Sequence, residues 1–211
     1  MPFFSQDFTA SLAPKESSES SREQFINPSD LGKNLPNPLR LSILSPEPLT
    51  GFEIWFDKEG GGKTKRLHPG SRPTEEHLAE YEKAIGATVA YEVDFETKKP
   101  TDRKCVRQCA AFFVYDYDAE MVKLLSYTQM SLMREIDRKT GDPDYADLTQ
   151  WDLEISKIQG PKTTYGADMK PSTRAKDKAT EKKVSEAWAK AQADGYDLMA
   201  LTEGGWPFGK K

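Results

Sequence analysis

Residues 105–127 constrain the fold more than any other part of the chain. The run "CVRQCAAFFVYDYD" is rich in β-branched and aromatic residues, and "EMVKLLSYT" follows it after a short polar turn. Two such runs around a tight turn are typical of an antiparallel β-hairpin. Alternation along the first run puts Phe113 and Tyr115 on one face and Phe112 and Val114 on the other. One of these faces must belong to a core.

Short β-rich runs separated by proline and glycine continue on both sides of this hairpin. We predict further strands over residues 39–44, 52–56, 88–95, 151–158 and 164–171, and a turn over 98–104. A helix is predicted from about 74 to 85, between the cap residue Thr74 and Gly86, and a second helix after Thr128. This pattern predicts a mainly β protein with short helices. It fits a five- to six-stranded Greek-key barrel of the OB type, without separating that barrel from other small ones.

The composition leaves part of the chain outside any core, since only 36% of the residues are apolar and 30% are charged. Residues 1–35 are rich in Ser, Glu, Asn and Pro, which predicts a disordered or loosely packed N-terminal arm. Residues 36–171 hold the predicted strands and form the expected domain. Residues 172–211 are expected to be a linker, a short helix ending at Gly195, and a tail whose apolar residues stay unburied.

Charge and cysteine content narrow the class of protein. The net charge of −4 argues weakly against nucleic acid as a partner, but the charge is uneven: residues 156–183 hold eight basic and three acidic side chains. Two cysteines are too few for a disulfide scaffold. We see no signal peptide and no apolar run of about 18 residues, so we expect a protein of a reducing cytoplasm with no membrane partner.

Motifs for catalysis are missing from the sequence. There are two histidines, and we find no Gly-x-Ser-x-Gly elbow, no Walker loop and no dinucleotide-binding glycine fingerprint. We therefore predict that the protein is not an enzyme and has no catalytic residue and no cofactor.

Two groups of residues could form metal sites, but neither site is predicted. Three carboxylates at the expected hairpin tip could bind a divalent ion and support a metal-dependent nuclease: Asp116, Asp118 and Glu120. Four potential zinc ligands are also present: Cys105, Cys109, His68 and His77. Residues 105 and 109 lie about 13 Å apart in an extended strand, so both cysteines could bind one zinc ion only if the strand breaks there.

Aromatic and basic residues are interleaved along the predicted strands. Binding of single-stranded DNA needs exposed rings for the bases and cations for the phosphates. Bases are expected to stack on some of Trp55, Phe56, Tyr91, Phe113, Tyr115, Tyr117 and Trp151. Phosphates are expected to contact Lys63, Lys65, Arg66, Lys104, Arg107 and Lys123.

The order of segments from about 37 to 171 resembles that of a group of phage single-stranded DNA-binding proteins. The opening block is "NPLRLSILSPEPLTGFEIWFDKEGGGKTKR", where Arg40, Pro46, Gly51, Phe52, Glu53, Trp55 and Arg66 fill the family's positions. "CAAFFVYDYDAEMVKLLSYTQMSLMREIDR" resembles the family's middle block, and "GDPDYADLTQWDLEISKIQGPKTTYGADMKPS" its closing block. The closing strand departs from the family's β-branched alternation at residues 166–169, so irregular pairing is expected there.

The resemblance implies an OB-fold helix-destabilising protein that acts in phage DNA replication, recombination or repair, in the cytoplasm of an infected host cell. It also implies that the C-terminal tail recruits replication or recombination proteins. Such tails are expected to end in acidic residues, whereas this one has the basic Lys210 and Lys211 there. The alternative is a phage structural or assembly protein that uses the same barrel for protein contacts.

Overall fold

A computed structural model describes residues 23–45, 47–94, 96–145 and 147–209 of the 211-residue chain. Within these residues the protein is mainly β with short helices, as predicted. The strands are β1 (Phe25–Ile26), β2 (Leu39–Ile43), β3 (Leu49–Lys58), β4 (Lys63–Pro69), β5 (Ala87–Val89), β6 (Tyr91–Val93), β7 (Pro100–Lys104), β8 (Val106–Asp116), β9 (Met121–Tyr127), β10 (Trp151–Ile158) and β11 (Thr164–Pro171). The α-helices are α1 (Glu75–Ile85), α2 (Met130–Thr140), α3 (Thr173–Lys176) and α4 (Lys178–Ala193).

Nine of these strands form one mixed sheet. Its main path is β1-β9-β8-β2-β10-β11, and β3, which carries β4 and β5, joins it through β8. β1 runs parallel to β9, and the other pairs are antiparallel. β6 and β7 form a separate two-stranded sheet. In the described part of the chain β11 pairs only with β10 and β1 only with β9, so the expected closure into a barrel is not found.

β2 and β3 behave as one long strand with an interruption. Both run antiparallel to β8, with Leu41 opposite Asp116 and Leu49 opposite Ala111. On its other side β2 pairs with β10, whereas β3 pairs with β4. The interruption coincides with Pro48, which lacks the N–H that a ladder requires. The proline-rich segment therefore marks where the neighbours of this strand change.

Three clusters of buried residues pack on the two sides of the sheet. On one side, α2 contributes Leu132 to a core with Leu41, Phe112 and Leu153. On the other side of β8, α4 and the C-terminal segment cover Phe113. The third cluster is smaller and lies between α1 and β3, where Ile54 and Phe56 are buried. Alternation along β8 thus sends successive side chains into different clusters, with Phe112 in the first and Phe113 in the second.

The helix predicted after Thr74 is confirmed. α1 spans Glu75–Ile85, Thr74 caps its first turn, and Gly86 ends it in the left-handed conformation that glycine adopts without strain. The second helix begins one residue later than expected, since Gln129 rather than Thr128 precedes α2.

Both chain ends differ from the predictions where they are described. Residues 23–35 are packed, with Ile26 and Leu31 buried, so this part of the expected arm belongs to the fold; residues 1–22 lie outside the described residues. The tail after Gly195 is also packed, and Phe208 is only 6% exposed. Its rings face the apolar side of β8, which they cover together with α4.

Two strand predictions need correction. The pairing of β10 with β11 is continuous from Trp151 opposite Pro171 to Ile158 opposite Thr164, with no irregularity at residues 166–169. The expected turn over 98–104 is in part a strand, since Pro100–Lys104 pairs with β6.

Candidate nucleic-acid interface

Strand alternation gathers one ring and three cations on one side of the sheet. Trp55 points to the side of β3 opposite to the buried Ile54 and Phe56. In the register, Lys65 lies opposite Trp55, Lys63 lies opposite Asp57, and Arg107 lies opposite Glu53. Directly opposed residues of an antiparallel pair share a face. We call the surface formed by Trp55, Lys63, Lys65 and Arg107 the Trp55 face.

The backbone at Trp55 is fixed by hydrogen bonds to two other segments of the chain that meet β3 there. Its N–H donates to the carbonyl of Cys105 (3.2 Å), and its carbonyl accepts from the N–H of Ala90 (2.8 Å). The N–H of Cys105 in turn donates to the carbonyl of Ala90 (2.7 Å). These bonds link β3, the break between β5 and β6, and the break between β7 and β8. The ring is therefore carried by a rigid part of the sheet rather than by a loop.

The side chain of Trp55 is held by Glu53 and Lys65. Trp55 Nε1 donates to Glu53 Oε1 at 2.6 Å, and Lys65 Nζ donates to Glu53 Oε2 at 2.8 Å. Lys65 Nζ also lies 5.6 Å from the centroid of the indole, within cation–π range. One carboxylate thus holds both the ring and the cation beside it.

The other two cations of the face also have carboxylate partners. Lys63 Nζ lies 3.4 Å from Asp57 Oδ1, and Arg107 Nε lies 3.3 Å from Glu92 Oε1. These pairs are long and solvent-exposed, and such pairs contribute only about 0–1 kcal/mol. A phosphate group could displace either carboxylate at little cost.

A groove of about 1000 Å³ borders the Trp55 face. Glu53, Trp55 and Lys65 form part of its lining, together with Gln129 before α2 and Trp206 from the C-terminal segment. The segment around residues 23–35 lines it as well. The groove therefore places two tryptophans and several polar groups around one open space.

Three of the predicted stacking rings are buried in cores. Phe56 has no exposed surface and packs under α1. Phe113 and Tyr115 are 2% and 3% exposed, because α4 and the C-terminal segment cover their side of β8. A base cannot reach a ring whose faces are already covered, so the expectation of stacking on these three rings is corrected.

Three further predicted residues serve the packing of the sheet. Tyr117 is half-buried and donates through its hydroxyl to Asp152 Oδ1 at 2.8 Å. Trp151 is half-buried, and its ring lies 4.8 Å from that of Tyr145 in an edge-to-face contact. Lys123 is buried at the lining of the groove and its Nζ lies 2.8 Å from Asp116 Oδ2, so a phosphate would have to displace that carboxylate.

The remaining predicted residues lie on the α1 side of the sheet. The guanidinium of Arg66 stacks on the Tyr81 ring, 3.9 Å from its centroid. Tyr91 is 47% exposed and pairs across β6–β7 with Lys104, which forms an ion pair with Glu75 of α1. Exposure alone would allow Tyr91 to bind a base, but its cross-strand partner is Lys104 and not a residue of the Trp55 face.

The residues considered for metal binding are divided between different places. Asp116 is buried and accepts from the N–H groups of Asp118 and Ala119, as is usual in a turn, while Glu120 pairs with Lys183. Within the residues that the structure covers, no group of three or more His, Cys, Asp or Glu could hold a metal ion.

The potential zinc ligands are separated by the sheet. His68 lies opposite Phe52 on the α1 side, with the ring of His77 4.9 Å away. Cys109 lies opposite Gly51, on the other side, and burial raises the pKa of its thiol to about 12. A thiol that keeps its proton is a poor metal ligand.

Sequence reasoning missed a role for Glu53 and for two groove residues, Gln129 and Trp206. A period of two along "GFEIWF" places Glu53 on the same side as Trp55, so Glu53 could have been found. Trp206 could not, because it reaches the groove only through the long-range packing of the C-terminal segment.

No protein-family model, no curated protein and no solved structure matches this chain. None of the helices in the described part is long and apolar enough to span a membrane.

Proposed function

We propose that the protein binds single-stranded DNA at the Trp55 face, with little sequence preference. The observation that carries the proposal is the position of Trp55 at the hydrogen-bonded junction of β3 with Ala90 and Cys105, beside Lys63, Lys65 and Arg107 and at the border of a large groove. A ring with cations around it is the arrangement that a single strand requires.

Each part of the face has a distinct task in this proposal. The Trp55 indole stacks on a base, which tolerates any sequence because every base has a π-face. Lys63 and Arg107 exchange their exposed carboxylate partners for phosphates. Release of the counterions condensed on the DNA then provides much of the affinity and makes it fall with salt.

The order of motifs supports the same class of protein. Residues 37–171 resemble phage single-stranded DNA-binding proteins in their opening, middle and closing blocks, and the opening block contains Glu53 and Trp55. We include in the proposal a relationship to the OB fold and a role in phage DNA replication, recombination or repair. The proposed binding itself needs only the open face of β3 and β4.

A fluorescence titration tests the proposal. The protein contains four tryptophans, so oligo-dT should quench its emission, whereas duplex DNA of equal length should not. Trp55→Ala should weaken oligo-dT binding about 5- to 150-fold, equivalent to the roughly 1–3 kcal/mol of one base–aromatic stack. Trp55→Phe should recover most of that loss. Lys63→Gln should make the slope of log affinity against log salt less steep by about 0.7.

Tyr91→Ala is the matched control, because Tyr91 is an exposed ring on the other side of the sheet. Equal losses in the Trp55 and Tyr91 variants would contradict the assignment to the Trp55 face. Absence of any oligo-dT binding by the folded protein would overturn the proposed function and favour the assembly-protein alternative.

A further inference from the structure

Glu53 lies at the centre of the Trp55 face, where a site for phosphates would not be expected to hold a carboxylate. Its side chain is only 13% exposed, whereas that of Lys65 is 39% exposed. Both carboxylate oxygens are in use, one accepting from Trp55 Nε1 and the other from Lys65 Nζ. An acidic side chain so placed needs a reason, because it repels the phosphates of a bound strand.

The first effect of Glu53 is on the orientation of the indole. The hydrogen bond from Nε1 fixes the edge of the ring, and the Lys65 ammonium lies over the ring at 5.6 Å from its centroid. A ring that is fixed before binding loses less conformational freedom when a base stacks on it. Glu53 therefore favours stacking by arranging Trp55 in advance.

The second effect of Glu53 is on Lys65, and it disfavours DNA binding. The ammonium that is bonded to Glu53 is shared between that carboxylate and any phosphate. The pair has a 2.8 Å contact and a mostly buried carboxylate, whereas Lys63 and Arg107 make longer contacts with carboxylates that are more exposed than Glu53. Solvent and salt screen a covered pair less than an exposed one. Lys65 is thus the cation of the face that is held back most from DNA.

We propose that Glu53 is a positioning residue that fixes the Trp55 ring for stacking and withholds Lys65 from the phosphates. This inference rests on the proposed function, since it assigns a role within the same interface. Its two effects can be separated by the choice of substituent. Glutamine keeps an oxygen acceptor for Trp55 Nε1 but removes the charge, and alanine removes both.

The experiment compares Glu53→Gln and Glu53→Ala by oligo-dT titration over a range of salt concentrations. Glu53→Gln should bind oligo-dT about 3- to 10-fold more tightly than the unmodified protein at low salt, because Lys65 then contacts a phosphate. For the same reason its slope of log affinity against log salt should be steeper by about 0.7. Adding Lys65→Gln should cancel that extra slope. Glu53→Ala should bind at least about fivefold more weakly than Glu53→Gln, since its indole is no longer held.

Glu53→Asp keeps the charge but is too short to hold both partners, so it should bind more weakly than the unmodified protein. Asp57→Asn is the matched control for charge. It removes one carboxylate from an exposed pair with Lys63 and should leave the Trp55 ring unaffected. Equal affinities for the Gln and Ala variants would overturn the positioning role. An unchanged salt slope in Glu53→Gln would overturn the withholding of Lys65.

Hydrogen exchange of the Trp55 indole N–H, followed by NMR without DNA, separates this inference from the proposed function. The N–H should be protected in the unmodified protein and in Glu53→Gln, and should exchange rapidly in Glu53→Ala. If exchange follows this pattern while no variant binds oligo-dT, Glu53 still positions the ring but the DNA-binding function fails. If exchange is equally fast in all three proteins, the positioning role fails regardless of DNA binding.

Discussion

Asp152 shows how a single buried carboxylate can join several parts of this fold. It has no exposed surface, and Oδ2 accepts from Arg40 Nε at 2.9 Å and from the backbone and hydroxyl of Thr173 at 2.8 and 2.7 Å. Oδ1 accepts from the Tyr117 hydroxyl. A buried charge needs such partners, because desolvation otherwise outweighs its attraction to any one of them.

We predict that Asp152→Ala lowers the free energy of unfolding by about 3 kcal/mol, since several part-buried donors lose their acceptor. Urea denaturation followed by circular dichroism measures this change. Asp118→Ala is the matched control, because Asp118 is exposed at the β8–β9 turn, and it should change stability by less than about 0.5 kcal/mol. A similar small effect for both variants would show that the Asp152 network does not stabilise the fold.

At the scale of elements, α2 and β11 are joined by a charged contact at the position where the sequence predicted irregular pairing. Lys139 of α2 donates to Asp168 Oδ1 at 2.7 Å, and Lys170 donates to Oδ2 at 2.8 Å. Ala167 and Met169, on either side of Asp168, are buried in the core that α2 helps to form. Packing against α2 thus stabilises β11, although residues 166–169 of this strand are not β-branched.

The hydrogen bonds from Lys139 and Lys170 lower the pKa of Asp168 to about 2, from an ordinary value of 3.8. A carboxyl whose pKa is lowered by folding stabilises the folded state above its unfolded pKa and loses that effect as the pH falls through its folded pKa. We therefore predict that Asp168→Asn loses less stability than the unmodified protein between about pH 4 and pH 2. Thermal unfolding across this range measures the difference. Asp144→Asn, at an exposed position, should retain the full acid dependence.

The elements found from the sequence are those whose signals are local. The β8–β9 hairpin follows from alternation around a tight turn, and α1 follows from Thr74 and Gly86 at its ends. β7 was missed because "PTDRK" has no strand-like pattern and is extended only through its pairing with β6. The division of 88–95 at Ala90 was missed for a similar reason, since it depends on the contacts of Ala90 with Trp55 and Cys105.

The candidate site was predictable in part. Trp55, Lys63, Lys65 and Arg107 were all among the residues predicted from sequence, and alternation along β3 would have added Glu53 beside Trp55. Alternation cannot say which side of a strand is covered. The prediction that Phe113 and Tyr115 bind bases was therefore wrong. The element that buries them, α4, lies about 70 residues further along the chain, where a local pattern cannot reveal it.

At the scale of the whole molecule, the C-terminal segment completes a core rather than leaving it. The Phe208 ring lies 5.0 Å from Phe25, 6.1 Å from Phe113 and 5.2 Å from Tyr196. The backbone N–H of Asp197 donates to the carbonyl of Pro207 at 2.9 Å, which closes the segment into a compact loop. Apolar side chains that are held in this way are not free to recruit a partner unless the segment detaches.

We predict that Phe208→Ala lowers the free energy of unfolding by about 3 kcal/mol, the usual cost of removing a buried phenylalanine. Differential scanning calorimetry measures this loss. Met199→Ala is the control from the same segment, because Met199 is 54% exposed. The melting temperature of this variant should match that of the unmodified protein. An unchanged melting temperature in Phe208→Ala, with early proteolytic cleavage after Gly195, would indicate a detached tail and support the partner-binding prediction.

The contact between Phe25 and Phe208 also affects how the protein is made. A ribosome makes Phe25 long before Phe208, so the core that these two residues share closes only after the segment around Phe208 has been made. Until then the rings of Phe25 and Phe113 leave exposed the apolar surface on which Phe208 packs in the finished fold. A product of interrupted translation would carry this apolar surface permanently, which makes it a substrate for chaperones and proteases rather than a shorter working version of the protein.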